Sequence, residues 1–328
     1  MCPRDVRRRN AVTRRPGRLC VISLGGNAIL RRGDRGTVEE QFARASSCAA
    51  HVARLFEEGL GVVITHGNGP IVGNIVLRNE AARNTVPPMP LYICDADSEG
   101  GIGFMIQQTL YNQLHRLHRV RDVATVITQV VVARDDPAFE HPTKPIGPYY
   151  SEAEAEELRR ARSWHVAADS GRGYRRVVAS PKPLRVVEVD VIRRLAGEGV
   201  VVIAAGGGGV PVFEGPDGNL SGAEAVIDKD LTTGVLAREL GADRIINLTE
   251  IDRVYLDYGT PAQRGIHDVR VPELRGYAAA GHFPPGSMGP KIAGAIDFLE
   301  GGGREVLITQ PELLEAALEG RAGTRIHP

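Results

Sequence analysis

The sequence predicts an α/β protein: a doubly wound, mostly parallel sheet with a small protruding subdomain. Three observations carry this. Short, fully apolar runs alternate with helical patterns along the 328 residues, and strands apolar on both faces belong to parallel sheets covered on each side by helices. Glycine-rich turns follow three of these runs, and ligands of such sheets bind at the carboxyl ends of the strands. A proline-rich, polar stretch over 133–183 breaks the alternation, which marks an inserted subdomain rather than sheet core.

The chain opens on "MCPRDVRRRNAVTRRPGR" (1–18), with seven arginines and one acid. It has neither the apolar stretch of a secretory signal nor the amphipathic period of a transit peptide, and reads as a disordered basic tail. "LCVISL" (19–24) is the first strand. A helix over 38–58 follows, opened by a capping box of Thr37 with Glu40 and stopped by Gly59. A strand at 61–65, a helix at 102–118 and a strand at 123–132 complete the pattern before the subdomain. After it come strands at 200–205, 244–248 and 305–309, with helices at 231–240 and 290–299. The expected division is an N-terminal half over 19–215, subdomain included, and a C-terminal half over 216–328.

Lysine plus arginine equals aspartate plus glutamate at 40 each, so no nucleic-acid or membrane partner is expected. No apolar run reaches the roughly 18 residues of a membrane helix. Cys2, Cys20, Cys48 and Cys94 are scattered without a CxxC pair, as suits reduced thiols in a cytoplasmic protein.

The three turns are "SLGGNAIL", "THGNGPIVGN" and "AAGGGGVPV". Glycine permits positive φ and lets backbone N–H groups close around an anion, and a following helix N-terminus adds attraction for phosphate. The turns match neither G-x-x-x-x-G-K-[ST] nor the dinucleotide spacing G-x-G-x-x-G, which disfavours Walker-type NTPases and Rossmann dehydrogenases. Lysines are scarce: Lys144, Lys182, Lys229 and Lys291. A compact ammonium can follow a phosphoryl group as it moves, where a forked guanidinium would clamp one geometry. Lys229 and Lys291 are the stronger candidates. Asp228 and Asp230 flank Lys229, placed to orient lysines or to help hold a hard cation.

At these residues the chain resembles carbamate kinase, of the amino acid kinase superfamily. The likeness runs from about 19 to 326 and includes "LGGNA", "THGNGP", "IGFMIQQTL", "DDPAFEHPTKPIGPYY", "AAGGGGVPV", "EAVIDKDL", "VYLDYGTP" and "GHFPPGSMGPK". The resemblance implies reversible phosphoryl transfer between carbamoyl phosphate and ADP, giving ATP and carbamate with Mg²⁺, in a cytoplasmic homodimer. It implies an acceptor site in the N-terminal half and a nucleotide site in the C-terminal half. Gly25, Gly26 and Asn27 would hold the transferred phosphoryl group, and Gly67, Asn68 and Gly69 would shape the acceptor site. Lys229 and Lys291 would neutralise the phosphate, Lys144 would reach down from the subdomain, and Asp230 would orient the lysines. Gly206, Gly207 and Gly208 would bind phosphate, with Asp228, Tyr255, Tyr258 and Met288 on the nucleotide. Metal ligands are not assigned.

The departures gather on the acceptor side. Ile71 replaces the glutamine of "HGNGPQVG", and "CDADSEGGIGFM" replaces "CGAMSQGMIGYM", with Asp97 for methionine and Glu99 for glutamine. In the C-terminal half Arg253 replaces a glycine. Two readings of the acids stand: caps of a helix start at Asp97 or Ser98, each contributing about 0.3–1 kcal/mol, or a changed acceptor pocket. A different carboxylate or carbamate acceptor, or a nucleotide-binding regulator without turnover, are the alternative functions; the retained lysines oppose the latter.

Overall fold

The centre of the molecule is the first strand, Gly17–Leu24, flanked in parallel by Leu60–His66 on one side and Arg244–Leu248 on the other. The computed structural model describes residues 17–30, 33–56, 59–162, 164–169, 173–284 and 286–328. The basic tail thus lies almost wholly outside the described residues, as does Cys2. From the central strand the sheet grows both ways. One wing adds Val201–Ile203 and Val123–Thr125; the other adds Glu305–Thr309, Thr324–His327 and Asp268–Arg270, eight strands in all. Only Glu305–Thr309 and Thr324–His327 pair antiparallel. Both expected halves therefore build one continuous sheet.

Alternation along the strands assigns each face. Val21 and Val63 enter one core, while Cys20, Ile22, Leu24, Val62 and Ile64 enter the other. The first core is covered by helices Lys229–Leu240 and Met288–Glu300, and the second by Val38–Val52 and Leu91–Arg116. The Thr37–Glu40 capping box forms, and Gly59 takes φ +80° after the helix has ended at Val52 and a 3₁₀ turn.

Two expectations change. The run 123–132 is not one strand: Val123–Thr125 stays in the large sheet, while Gln129–Val132 crosses to a second sheet with Pro183–Val186, Val210–Glu214 and Leu220–Gly222. The helix expected at 102–118 is Leu91–Arg116, 26 residues long. Its start follows Pro90, and its first N–H is capped from afar by the Glu224 carboxylate at 3.1 Å. No acid lies in its first turn, so the capping reading of Asp97 and Glu99 is overturned. The Gly100–Gly101 step, costly inside a helix at roughly 1 kcal/mol each, misplaced the boundary.

The subdomain is present as strands Lys144–Tyr150, Val166–Ala168 and Tyr174–Val178 with helix Glu152–Arg162. It docks on helix Gly69–Ala82 through two glycines: a Cβ on Gly73 would lie 2.2 Å from the Gly147 α-carbon. Gly73→Ala must push the subdomain off. Since a displacement near 1 Å costs about 10²-fold in a positioned site, its kcat is expected to fall by that order while the thermal midpoint shifts little. An unchanged kcat would show the docking to be dispensable.

Candidate active site

Strand order reverses about Gly17–Leu24, and the site sits where such sheets open. Gly25 donates its N–H to Leu248 O at 2.9 Å, and Gly67 donates to Leu24 O at 3.1 Å, so the loops leaving three adjacent strands are tied at their carboxyl ends. Between them a cavity of about 370 Å³ is lined by Gly25, Gly26, Lys229, Glu250, Tyr255, Tyr258, Met288 and Lys291, among others. Its volume is within the range of small-ligand sites.

The cationic floor is built at two helix starts. Asp228 caps helix Lys229–Leu240, its carboxylate accepting the Asp230 N–H at 2.9 Å. Asp230 is then aimed inward, 7% exposed, and each of its oxygens takes one lysine: Lys229 at 2.7 Å and Lys291 at 2.8 Å. Glycines bring the second helix close enough. A Cβ on Gly294 would lie 2.4 Å from Asp230 O, and one on Gly234 2.6 Å from Gly294 O. Lys229 also donates to Ser23 Oγ at 2.9 Å. Burial opposes ionisation of Asp230, but Lys229 and Lys291 outweigh it and hold the carboxyl at about 2. Burial pushes the Lys229 ammonium down, Asp230 resists, and Lys291 adds repulsion. One carboxylate thus anchors two ammonium groups, leaving net positive charge facing the cavity beside a helix N-terminus.

Lys144 reaches down from the subdomain, its Nζ 2.7 Å from Asp228 Oδ2. Asp228 is not among the residues lining the tyrosine cavity. It joins Lys144 to the helix that carries Lys229. Tyr255 and Tyr258 stand with ring centroids 6.0 Å apart, and Tyr255 donates to Asp252. Arg253 also pairs with Asp252, at 3.0 Å. A Cβ on Gly67 would lie 3.3 Å from Gly26 N and 3.4 Å from Lys229 Cδ, and one on Gly26 would lie 3.7 Å from the Gly69 α-carbon. Asn27 lies in the 3₁₀ turn Gly26–Ala28; its side chain is outside the described residues. Lys182 is exposed and is not among the cavity's lining residues.

Gly206, Gly207 and Gly208 are buried and do not line the tyrosine cavity. Added Cβ atoms there would lie 2.3 Å from His66 Nε2, 2.5 Å from Asn68 Nδ2 and 2.4 Å from Ile227 O. The loop packs against the "THGNGP" turn and Ile227. Two of its N–H groups are engaged: Gly206 on Glu99 Oε1 at 2.8 Å, and Gly208 on Ala205 O at 3.1 Å. His66, stripped of water, is pushed down to about 4, and its Nδ1–H faces the Gly67 carbonyl at 3.1 Å. It is a neutral packing group here.

The acids separate in fate. Asp97 is exposed. Glu99 is fully buried, its second oxygen accepting the Thr128 N–H at 3.1 Å, which fixes the bend between the two sheets. Ile71 is half-buried and packs against the core face that holds Ile22 and Ile64. Burial pushes Glu99 up to about 8, against the pull of its two backbone donors. Folding therefore takes up a proton between about pH 4.5 and 8, and stability falls as pH rises through that window. Glu99→Gln removes the slope: by urea unfolding the wild type should lose at least about 1 kcal/mol relative to the variant from pH 5 to 8. Parallel pH profiles would contradict this.

Sequence reasoning passed over Ser23 and Glu250, and marked Asp95 only as one of three acids, with Asp97 and Glu99, crowding what reads as a helix start. Ser23 left a signal, a polar residue inside an apolar strand; Asp95 stands where the resembled stretch has glycine.

No cluster of three metal-ligating side chains occurs among the described residues, and no helix among them is long and apolar enough to cross a membrane. Glu250 is the one acid on the cavity wall. That wall suits a hard cation carried mainly by nucleotide phosphates, with at most one or two carboxylates from the protein.

Residues 18–310 match the model of the amino acid kinase family. The chain is 47% identical over 314 residues to carbamate kinase from Pyrococcus furiosus, covering 95% of this chain and 100% of that one. It is 46% identical to the carbamate kinase-like protein YahI of Escherichia coli, covering 94% and 98%. Carbamate kinase from Giardia lamblia bound to AMP-PNP superposes with a TM-score of 0.88 at 39% identity, covering 95% and 98%. With its sheet, its lysine-bridged aspartate and this full-length likeness, the chain belongs to the amino acid kinase family, in the carbamate kinase group, and is a phosphotransferase.

Proposed function

We propose that this enzyme transfers a phosphoryl group reversibly between carbamoyl phosphate and ADP, giving carbamate and ATP. The observation that carries the reading is the pair Lys229 and Lys291 on opposite oxygens of one buried Asp230, at the wall of a cavity also lined by Tyr255, Tyr258 and Met288. The bond from phosphorus to the carbamoyl oxygen breaks as one to an ADP β-phosphate oxygen forms. Charges balance without a proton, because carbamate leaves as an anion, so no general base is required. Catalysis is alignment and neutralisation of the equatorial oxygens.

In this reading Gly26 offers its backbone N–H to the transferring phosphoryl, and Gly25, its own N–H tied to Leu248 O, lines the cavity beside it. Gly67, Asn68 and Gly69 hold the acceptor, and Lys144 closes over it from the subdomain. Tyr255, Tyr258 and Met288 line the nucleotide site. Mg²⁺ would sit on the nucleotide phosphates near Glu250 and supply further charge neutralisation. A homodimer is supported by Val38, Phe104 and Tyr111, each more than half exposed on neighbouring helices. We place the enzyme in the cytoplasm on Cys20, Cys48 and Cys94, which among the described residues are buried and form no disulfide. A changed acceptor loses its main support, since Asp97 faces solvent and Glu99 is engaged by backbone.

The test is ATP formation from ADP and carbamoyl phosphate with Mg²⁺. Turnover by the wild type that is abolished in Lys291→Ala supports the reading. Tight ATP binding without turnover of carbamoyl phosphate overturns it.

A further inference from the structure

His282 lines the same cavity as Lys229 and Lys291, and the transfer described above gives it no task. Its Nδ1 stands 3.0 Å from Asp257 Oδ1. Asp257 lies in the chain between Tyr255 and Tyr258, and Phe283 follows His282 directly; both tyrosines and Phe283 line the cavity. The pair therefore belongs to the aromatic part of the wall. Phosphates go to the lysines, which leaves the aromatic part for the flat base of the nucleotide.

Both partners are held in place. Asp257 takes φ +50°, which aspartate tolerates better than most side chains, and its carbonyl accepts the Thr260 hydroxyl at 2.8 Å and the Thr260 N–H at 3.1 Å. The His282 N–H goes to Tyr277 O at 3.2 Å. The Tyr277 ring stands nearly perpendicular to the imidazole, at 81° and 5.8 Å between centroids. A carboxylate only accepts, so the nitrogen facing Asp257 carries the hydrogen. In the neutral ring Nε2 is then a bare acceptor. It takes no partner from the described residues and is not buried.

We propose that His282, its tautomer set by Asp257, is a specificity residue of the nucleotide site: Nε2 accepts a hydrogen from the exocyclic amino group of adenine and so selects ADP over the diphosphates of oxo purines. Guanine and hypoxanthine carry a carbonyl where adenine carries its amino group. Two acceptors facing each other would both lose their partner, and a site built to hydrogen-bond one group discriminates against its replacement. The inference rests on the nucleotide site proposed above and names what that site reads in the base.

The experiment titrates the enzyme calorimetrically with ADP and with inosine diphosphate, each with Mg²⁺ and without carbamoyl phosphate, so that it reads the base alone. The wild type is expected to bind ADP at least about tenfold more tightly. His282→Phe keeps an aromatic ring and removes the acceptor; it should cut the ratio at least about fivefold by weakening ADP, with inosine diphosphate moving less than about twofold. Asp257→Asn suits the positive φ equally well. Its amide turns a donor to Nδ1, which moves the ring hydrogen to Nε2. The ratio should then fall because inosine diphosphate binds better, and this variant decides the matter if His282→Phe does not fold. A wild type blind to the base, a ratio unmoved in both variants, or an equal loss of both nucleotides overturns the inference. The expected preference in an enzyme that turns over no carbamoyl phosphate would remove the proposed reaction and leave this inference standing.

Discussion

Replacing Lys229 by alanine is expected to lower kcat for ATP formation about 10³-fold in a chain that still folds. Charge neutralisation is nearly all that this type of transfer asks of a protein, and one preorganised donor is worth about 10²–10³ in kcat. Lys229 is held for that task by Ser23 Oγ at 2.9 Å and Asp230 at 2.7 Å, with a side chain only 11% exposed. Its loss leaves no orphaned charge, because Asp230 keeps Lys291 at 2.8 Å. The effect should therefore fall on kcat, with nucleotide affinity moved far less. Single-turnover kinetics beside an ADP titration would check it; a kcat within tenfold of wild type would remove Lys229 from the phosphoryl path.

Asp230→Ala should act in the opposite sense, on the fold first. Two buried ammonium groups would then face each other without the carboxylate between them, and breaking a buried ion pair by removing one partner costs about 3–5 kcal/mol. Activity should also vanish, since neither lysine keeps its aim. The same carboxylate carries a pH dependence. Its folded pKa of about 2 lies below the ordinary 3.8, so its stabilisation is fully present above the unfolded value and is lost as pH falls through about 2. That contribution is about 2 kcal/mol. Acid unfolding of the wild type should show it and that of the variant should not. A thermal midpoint unchanged in Asp230→Ala would contradict the ion-pair account.

Much of the architecture was legible because periodicity reports burial directly. Arg244–Leu248 and Glu305–Thr309 begin and end where their apolar runs do, and the Thr37–Glu40 box forms because both halves of a capping box are local. The misreadings share one cause, a local signal overruled from a distance. The helix at 102–118 read as starting no earlier than Asp97, yet Glu224, far along the chain, caps it at Leu91. The run 123–132 read as one strand, yet Glu99 takes the Thr128 N–H and turns the chain between two sheets. The glycines at 206–208, expected to bind phosphate, carry a packing role that no glycine turn shows in sequence. Here their missing side chains make room for His66, Asn68 and Ile227.

The sequence by itself determined the parallel sheet, the loops at its carboxyl ends and the scarce lysines, since each follows from apolar period, glycine and charge at fixed positions. Which lysines meet was decided only in three dimensions. Lys229 and Lys291 lie far apart in the chain, and backbone contacts at Gly234 and Gly294 bring both onto Asp230. The fate of the three acids was decided there too: Asp97 left in water, Glu99 set to hold two backbone N–H groups, and Asp95 turned toward Asn68. A carboxylate's role depends on which donors surround it, and that neighbourhood exists only once the chain has folded.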